Sequence, residues 1–107
     1  MYKITRFHFI LALLTIAFSP LAQANQALAN AKGCLACHDL KVKKIGPAYQ
    51  DVAKKYAGQA DAPAKLSQKV LNGGSGVWGP VAMPANKTMG VTEADAKKLV
   101  DWILTLK

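Results

Sequence analysis

The apolar residues of this chain recur at helical spacing in several separate segments. Residues 26–38 carry apolar side chains every three to four positions, which predicts a first helix. Residues 47–56 predict a short second helix, because Pro47 suits the first position of a helix. Residues 63–72 predict a third helix, which begins at a proline and ends before Gly73.

The C-terminal segment predicts a last helix. Thr92 can cap its first turn, and Asp95, three residues further on, completes an approximate capping box. The apolar stripe of this helix comprises Ala96, Leu99, Val100 and Ile103, flanked by Trp102 and Leu106. No segment stands out as a strand, so we predict an all-α domain of about four helices.

Residues 73–89 form the only long stretch that predicts no regular structure. The stretch is rich in glycine and proline, yet Val77, Trp78, Val81 and Met83 make it too apolar for a free linker. A long irregular segment in a small domain is usually functional or disordered. The glycines lack the Gly-Lys-Ser/Thr ending of a phosphate-binding loop. We therefore expect this segment to contribute to a functional site other than a phosphate-binding loop.

The N-terminal segment is typical of a secretory signal. Lys3 and Arg6 are followed by an uncharged, mostly apolar run over residues 9–18, and then by small residues up to Ala24. The run is too short for a membrane anchor, since spanning a bilayer takes roughly 20 apolar residues. We expect residues 1–24 to be removed as a signal peptide.

Cleavage there leaves one small domain, residues 25–107, without an integral membrane anchor. Loss of Lys3 and Arg6 lowers the formal net charge from +8 to +6, and no arginine remains. Basic charge can indicate nucleic acid or an anionic membrane, but the domain carries no nucleic-acid motif. An acidic protein partner fits the charge better.

Cys34-Leu35-Ala36-Cys37-His38 carries the clearest chemistry in the chain. Cys-x-x-Cys-His is the attachment signature of haem c, in which two thiols bond to one porphyrin and the histidine reaches its iron. Two alternatives remain, a redox-active thiol pair and a zinc site. The thiol pair would leave the histidine unexplained, because such a pair needs no histidine after it, and a zinc site needs a second pair of ligands that the sequence lacks.

The haem iron needs a second protein ligand, water or an open position. His38 is the only histidine of residues 25–107, since His8 belongs to the expected signal. The remaining candidates are Met83 and Met89, and a lone methionine is usually a core residue. Met83 is favoured as the ligand, because prolines on both sides stiffen the loop that presents its sulfur.

Further motifs combine in a way that is specific to one family: Gly46-Pro47-Ala48-Tyr49, Gly76-Val77-Trp78-Gly79-Pro80, Met83-Pro84-x-Asn86 and a last helix that bears Trp102. With the haem motif, they make the chain resemble the short bacterial class I cytochromes c. The resemblance implies a small helical fold around one covalent haem c, with His38 and Met83 as axial ligands. It also implies a periplasmic one-electron carrier that supplies nitrite reductases or terminal oxidases.

The resemblance implies roles for three further residues. The carbonyl of Pro47 would accept a hydrogen bond from the ring of His38. The indole of Trp78 would donate to a haem propionate, although this residue could be a plain core aromatic. Asn86 would donate to the sulfur of the methionine ligand, although an asparagine here could simply be a turn residue.

The chain offers no acid–base pair for bond chemistry, so we expect an electron carrier rather than an enzyme. Two alternatives remain: a fixed haem subunit of a larger oxidoreductase, and a haem protein whose open iron binds a small ligand. For the carrier, we expect redox partners to dock over an apolar patch of Ile45, Val77, Val81 and Ala82. The lysines nearest in sequence to this patch are Lys41, Lys43, Lys44 and Lys87.

Overall fold

The computed structural model describes residues 20–107, with side chains from Asn25 onwards. The four α-helices in chain order are α1, Pro20–Ala31; α2, Tyr49–Tyr56; α3, Ala62–Asn72; and α4, Glu93–Ile103. Short 3-10 helices cover Cys34–Ala36 and Asn86–Met89. The expected signal peptide lies almost wholly outside the described residues, and α1 begins upstream of the expected cleavage site. No helix within residues 20–107 is long and apolar enough to cross a membrane.

Helix α4 is the centre of the fold, and α1, α2 and α3 all contact it. It begins at the predicted capping box, in which Thr92 and Asp95 each bond the backbone of the other. Its buried face comprises Ala96, Leu99, Val100, Trp102 and Ile103. Burying a Leu or Val side chain stabilises the folded state by about 1.5–3 kcal/mol, so this predicted stripe holds much of the core together.

The first helix ends earlier than the sequence predicts. Helix α1 stops at Ala31, and Gly33 takes a left-handed conformation with φ of 76°. Glycine adopts this conformation without the steric cost that a side chain would bring, so it breaks the helix before the attachment motif. The motif therefore lies on a separate 3-10 turn.

The second helix also starts later than predicted. Pro47 lies before it, and Ala48 is its N-cap, so α2 begins at Tyr49. The third helix starts at Ala62 with its proline inside the first turn, close to the predicted start. At the start of α2, Pro47 instead precedes the N-cap, so the carbonyl of Pro47 lies outside the helix.

The segment after α3 corrects the prediction that the chain has no strands. Strand β1, Gly74–Gly76, pairs antiparallel with β2, Gly79–Met83, and Val77 and Trp78 form the turn between them. Gly76 and Gly79 both have positive φ, which lets the chain reverse so tightly. The mostly helical fold is confirmed, with this small hairpin added to it.

Candidate functional site

A cavity of about 310 Å³ lies between the helices and the hairpin. Cys34, Cys37 and His38 line it, as does Met83 at the end of β2. Two segments that are far apart in sequence therefore contribute side chains to one cavity. The other lining residues are mainly apolar and include Val52, Leu66, Leu99, Val100 and Ile103. Such a lining suits a large, flat, apolar group.

The attachment motif is held by local backbone hydrogen bonds. The amides of Cys37 and His38 both donate to the carbonyl of Cys34, over 3.2 and 2.9 Å. The Gly46 amide donates to the Cys37 carbonyl over 2.7 Å, which ties the following loop to the motif. The two thiols and the imidazole are thereby presented to the same cavity.

The ring of His38 is oriented by the loop that follows the motif. Its Nδ1 atom lies 2.7 Å from the carbonyl oxygen of Pro47, and the residue is only 8% exposed. Because a carbonyl only accepts, Nδ1 carries the proton and Nε2 keeps a free lone pair. Gly46 approaches so closely that a Cβ there would lie 2.5 Å from Cε1 of His38. This arrangement prepares His38 to act as a metal ligand through Nε2.

The electrostatics of Cys34 argue against a redox-active thiol pair. Burial raises the pKa of the Cys34 thiol, outweighing a hydrogen bond from the Tyr49 hydroxyl that acts in the opposite direction. Reactive thiols of the thioredoxin kind instead need a lowered pKa. The zinc alternative also loses support, because residues 20–107 contain no group of three or more metal-binding side chains.

The two methionines of the domain lie in different surroundings. Met83 is partly buried and lines the cavity. Met89 is 57% exposed at the end of a 3-10 helix, and it does not line the cavity. Only Met83 is therefore placed with His38.

Of the two remaining predicted site residues, Trp78 lines the cavity and Asn86 does not. Trp78, at the turn of the hairpin, lines it and has the ammonium of Lys55 5.5 Å from its ring centroid. Asn86 is buried but does not line the cavity, and its amide donates to the carbonyl of Val70 over 2.9 Å. A second hydrogen remains on that amide nitrogen, and the bond from Asn86 to the sulfur of Met83 stays a prediction.

The predicted apolar patch also lies at this cavity. Ile45, Val77, Val81 and Ala82 all line it and are exposed. Of the four lysines predicted to surround the patch, only Lys43 lines the cavity.

The cavity and its donors fit a haem c group. The apolar lining can cover a porphyrin, two thiols can bond to its edge, and an oriented imidazole and a thioether can reach its iron. Comparisons with known proteins agree. The cytochrome c family model matches residues 22–107. The chain belongs to the cytochrome c family.

Individual relatives are closely similar. Cytochrome c-552 of Hydrogenobacter thermophilus is 61% identical over 84 residues, which are 78% of this chain and 83% of that protein. Cytochrome c-552 of Nitrosomonas europaea is 51% identical over 86 residues, 80% of this chain and 82% of that one. The crystal structure of wild-type Nitrosomonas europaea cytochrome c552 superposes with a TM-score of 0.73 at 50% identity, covering 77% of this chain and 99% of the other.

Membership establishes the cofactor and the class of activity. The protein is a short class I cytochrome c that binds one haem c through thioether bonds to Cys34 and Cys37. It is an electron-transfer protein rather than an enzyme, and its partners are redox proteins.

Three residues at the site had no role in the sequence analysis. Gly46 leaves room for the ring of His38, and Tyr49 stacks on that ring. Lys69, in the last turn of α3, lines the cavity. Gly46 and Tyr49 both belong to the Gly-Pro-x-Tyr motif, which could have indicated that they have a role at the site. Nothing in the sequence distinguishes Lys69 from the other lysines.

Proposed function

We propose that this cytochrome is a periplasmic one-electron carrier whose haem iron is held by Nε2 of His38 and the sulfur of Met83. The observation that carries the proposal is that one cavity is lined by Cys34, Cys37, His38 and Met83. Exposed Met89 lies away from it. The bound haem supplies the one-electron chemistry, and the protein supplies its ligands and surroundings.

The side chains around the cavity favour the reduced state. A methionine ligand raises the potential of haem iron. The apolar lining disfavours the extra charge of ferric iron, because charge is costly to bury in a medium of low polarity. Two protein ligands also leave the coordination of the iron nearly unchanged when one electron enters or leaves.

Three neighbouring residues position these ligands. The Pro47 carbonyl holds the tautomer in which Nε2 of His38 is free, as supported by the 2.7 Å hydrogen bond. Trp78, which lines the cavity, would donate from its indole to a haem propionate. Asn86 donates one amide hydrogen to the Val70 carbonyl and would donate the other to the sulfur of Met83.

The apolar residues at the cavity support docking of an acidic redox partner there. Ile45, Val77 and Val81 are each more than half exposed and line the cavity. Lys43 and Lys69 add positive charge at the same cavity. Long-range attraction would raise the rate of encounter, and a small apolar patch would be sufficient for a brief contact.

A redox titration combined with cell fractionation tests this function. The protein purified from the periplasmic fraction should lack residues 1–24 and titrate reversibly with one electron per chain. Its optical spectrum should be that of six-coordinate iron in both oxidation states. Recovery only as part of a larger membrane complex would instead support the fixed-subunit alternative.

A further inference from the structure

Tyr49 makes contacts within the site that the function described so far does not use. Its side chain is 5% exposed and its ring stacks on that of His38, with centroids 4.9 Å apart and planes inclined by 19°. The hydrogen bond to Pro47 fixes only one atom of the imidazole, Nδ1. A ring held at one atom can still tilt, and the face of Tyr49 opposes that movement.

Tyr49 is itself held in place from two directions. Its ring meets Trp102 of α4 edge-on, with centroids 5.7 Å apart and an angle of 80°, which is a favoured geometry for aromatic pairs. Its backbone amide donates over 2.9 Å to the carbonyl of Asp39, the residue directly after His38. The stacking surface is therefore fixed relative both to the core and to the attachment motif.

We propose that Tyr49 is a positioning residue, which fixes the plane of the His38 imidazole through its ring. The inference rests on the proposed ligation of iron by His38. Contacts that fix the ring orientation of a ligand histidine tune the metal that it binds. Tyr49 would therefore affect the iron without touching it.

The test compares Tyr49→Leu and Tyr49→Phe in the haem-loaded protein. Tyr49→Leu removes the stacking and should speed hydrogen exchange at Nδ1 of His38 by roughly two- to tenfold, the factor that corresponds to an aromatic pair. It should also shift the electron paramagnetic resonance spectrum of the oxidised protein. Tyr49→Phe keeps the stacking, so both readouts should match the wild type.

Tyr56 provides matched controls, because it is a buried tyrosine of the same helix with no ring contact to His38. Tyr56→Leu and Tyr56→Phe should leave the His38 exchange rate unchanged. The proposal is overturned if Tyr49→Leu behaves like Tyr56→Leu in these measurements. If Tyr49→Leu does not fold, a His38 exchange rate in Tyr49→Phe that differs from that of the wild type would overturn it instead, because Tyr49→Phe keeps the stacking ring. If the ligation proposal is wrong, the ring protons of His38 in the wild type will show no NMR shift caused by the iron. That result is distinct from the outcomes that test Tyr49.

Discussion

Gly73 lies directly against the backbone of Met83, so closely that a methyl group on Gly73 would overlap the Met83 carbonyl oxygen. It would also come within 2.8 Å of the Pro84 carbonyl oxygen. Gly73 has φ of 68° and ψ of −158°, a region that essentially only glycine enters. The end of α3 and the loop that carries Met83 can therefore meet only because residue 73 has no side chain.

Gly73→Ala should both destabilise the protein and displace Met83. The backbone conformation alone costs about 1–3 kcal/mol for a residue with a side chain. The overlap with Met83 adds to this and should weaken the iron–sulfur charge-transfer band of the oxidised protein. Chemical denaturation and the optical spectrum measure the two effects.

Gly58→Ala is the control for this prediction. Gly58 also has φ of 76°, but no atom lies within 4 Å of where its Cβ would be. The Gly58→Ala variant should lose about 1–2 kcal/mol of stability and keep the charge-transfer band. An unchanged band in Gly73→Ala would mean that contact with Gly73 does not place Met83.

Met83→Ala should open the iron, whereas Met89→Ala should not. Loss of the thioether should abolish the charge-transfer band and let the reduced protein bind carbon monoxide. The potential should fall by part of the roughly 0.8 V range that axial ligands span. The exposed side chain of Met89 lies away from the cavity, so its removal should change none of these. Reversed behaviour of the two variants would assign the ligand to Met89.

The positions of the lysines predict which charges guide an acidic partner. Lys43→Gln should slow electron transfer to an acidic acceptor a few-fold at low salt, a small share of the 10- to 1,000-fold range of electrostatic steering. The effect should fade as salt shortens the Debye length to below about 8 Å. Stopped-flow kinetics at several ionic strengths measure both.

Substitutions of two other lysines are compared with Lys43→Gln. Lys44 donates from Nζ to the Leu35 carbonyl over 2.9 Å, so Lys44→Gln alters the attachment loop as well as the charge. Lys98→Gln removes an exposed charge that does not line the cavity. Equal rates for Lys43→Gln and Lys98→Gln would show that only net charge matters.

Acid should remove the stabilising contribution of Asp95. Hydrogen bonds from the Thr92 backbone, the Lys32 ammonium and the Thr92 hydroxyl hold the pKa of Asp95 below its usual range. The folded protein therefore binds its proton less readily than the unfolded chain, whose value is about 3.9. The contribution is complete above that value and is lost as pH falls through the lower folded value.

Asp95→Asn should accordingly lower the free energy of unfolding at pH 7, and the deficit should shrink towards about pH 2. Denaturation curves at both pH values measure it. Asp101→Asn, which breaks the exposed pair with Lys97, should have a smaller effect at pH 7. A deficit for Asp95→Asn that is independent of pH would contradict this account.

Features that depend on near neighbours in sequence could be predicted. The capping box of Thr92 and Asp95 and the stripe of α4 follow from local spacing, and so does the attachment motif. The preference for Met83 over Met89 as ligand came from the flanking prolines and stays a prediction, and of these two methionines only Met83 lines the cavity.

Features that depend on distant contacts could not be predicted in this way. Strand β1 is Gly-Ser-Gly, a sequence with little tendency to form a strand, and it pairs because Gly73 lets the loop of Met83 approach. Tyr49 was visible only as part of a motif, since its contact with His38 needs the loop between them to fold back. Lys69 reaches the cavity through the placement of α3, which no local pattern records.

The optical response of the reduced wild-type protein to carbon monoxide tests the central claim most directly. If His38 and Met83 both hold the iron, the protein passes electrons and offers no position for an external ligand. The account predicts identical spectra of the reduced protein with and without carbon monoxide at neutral pH. Immediate conversion to a carbon monoxide complex would contradict it and identify a haem protein with an open iron site.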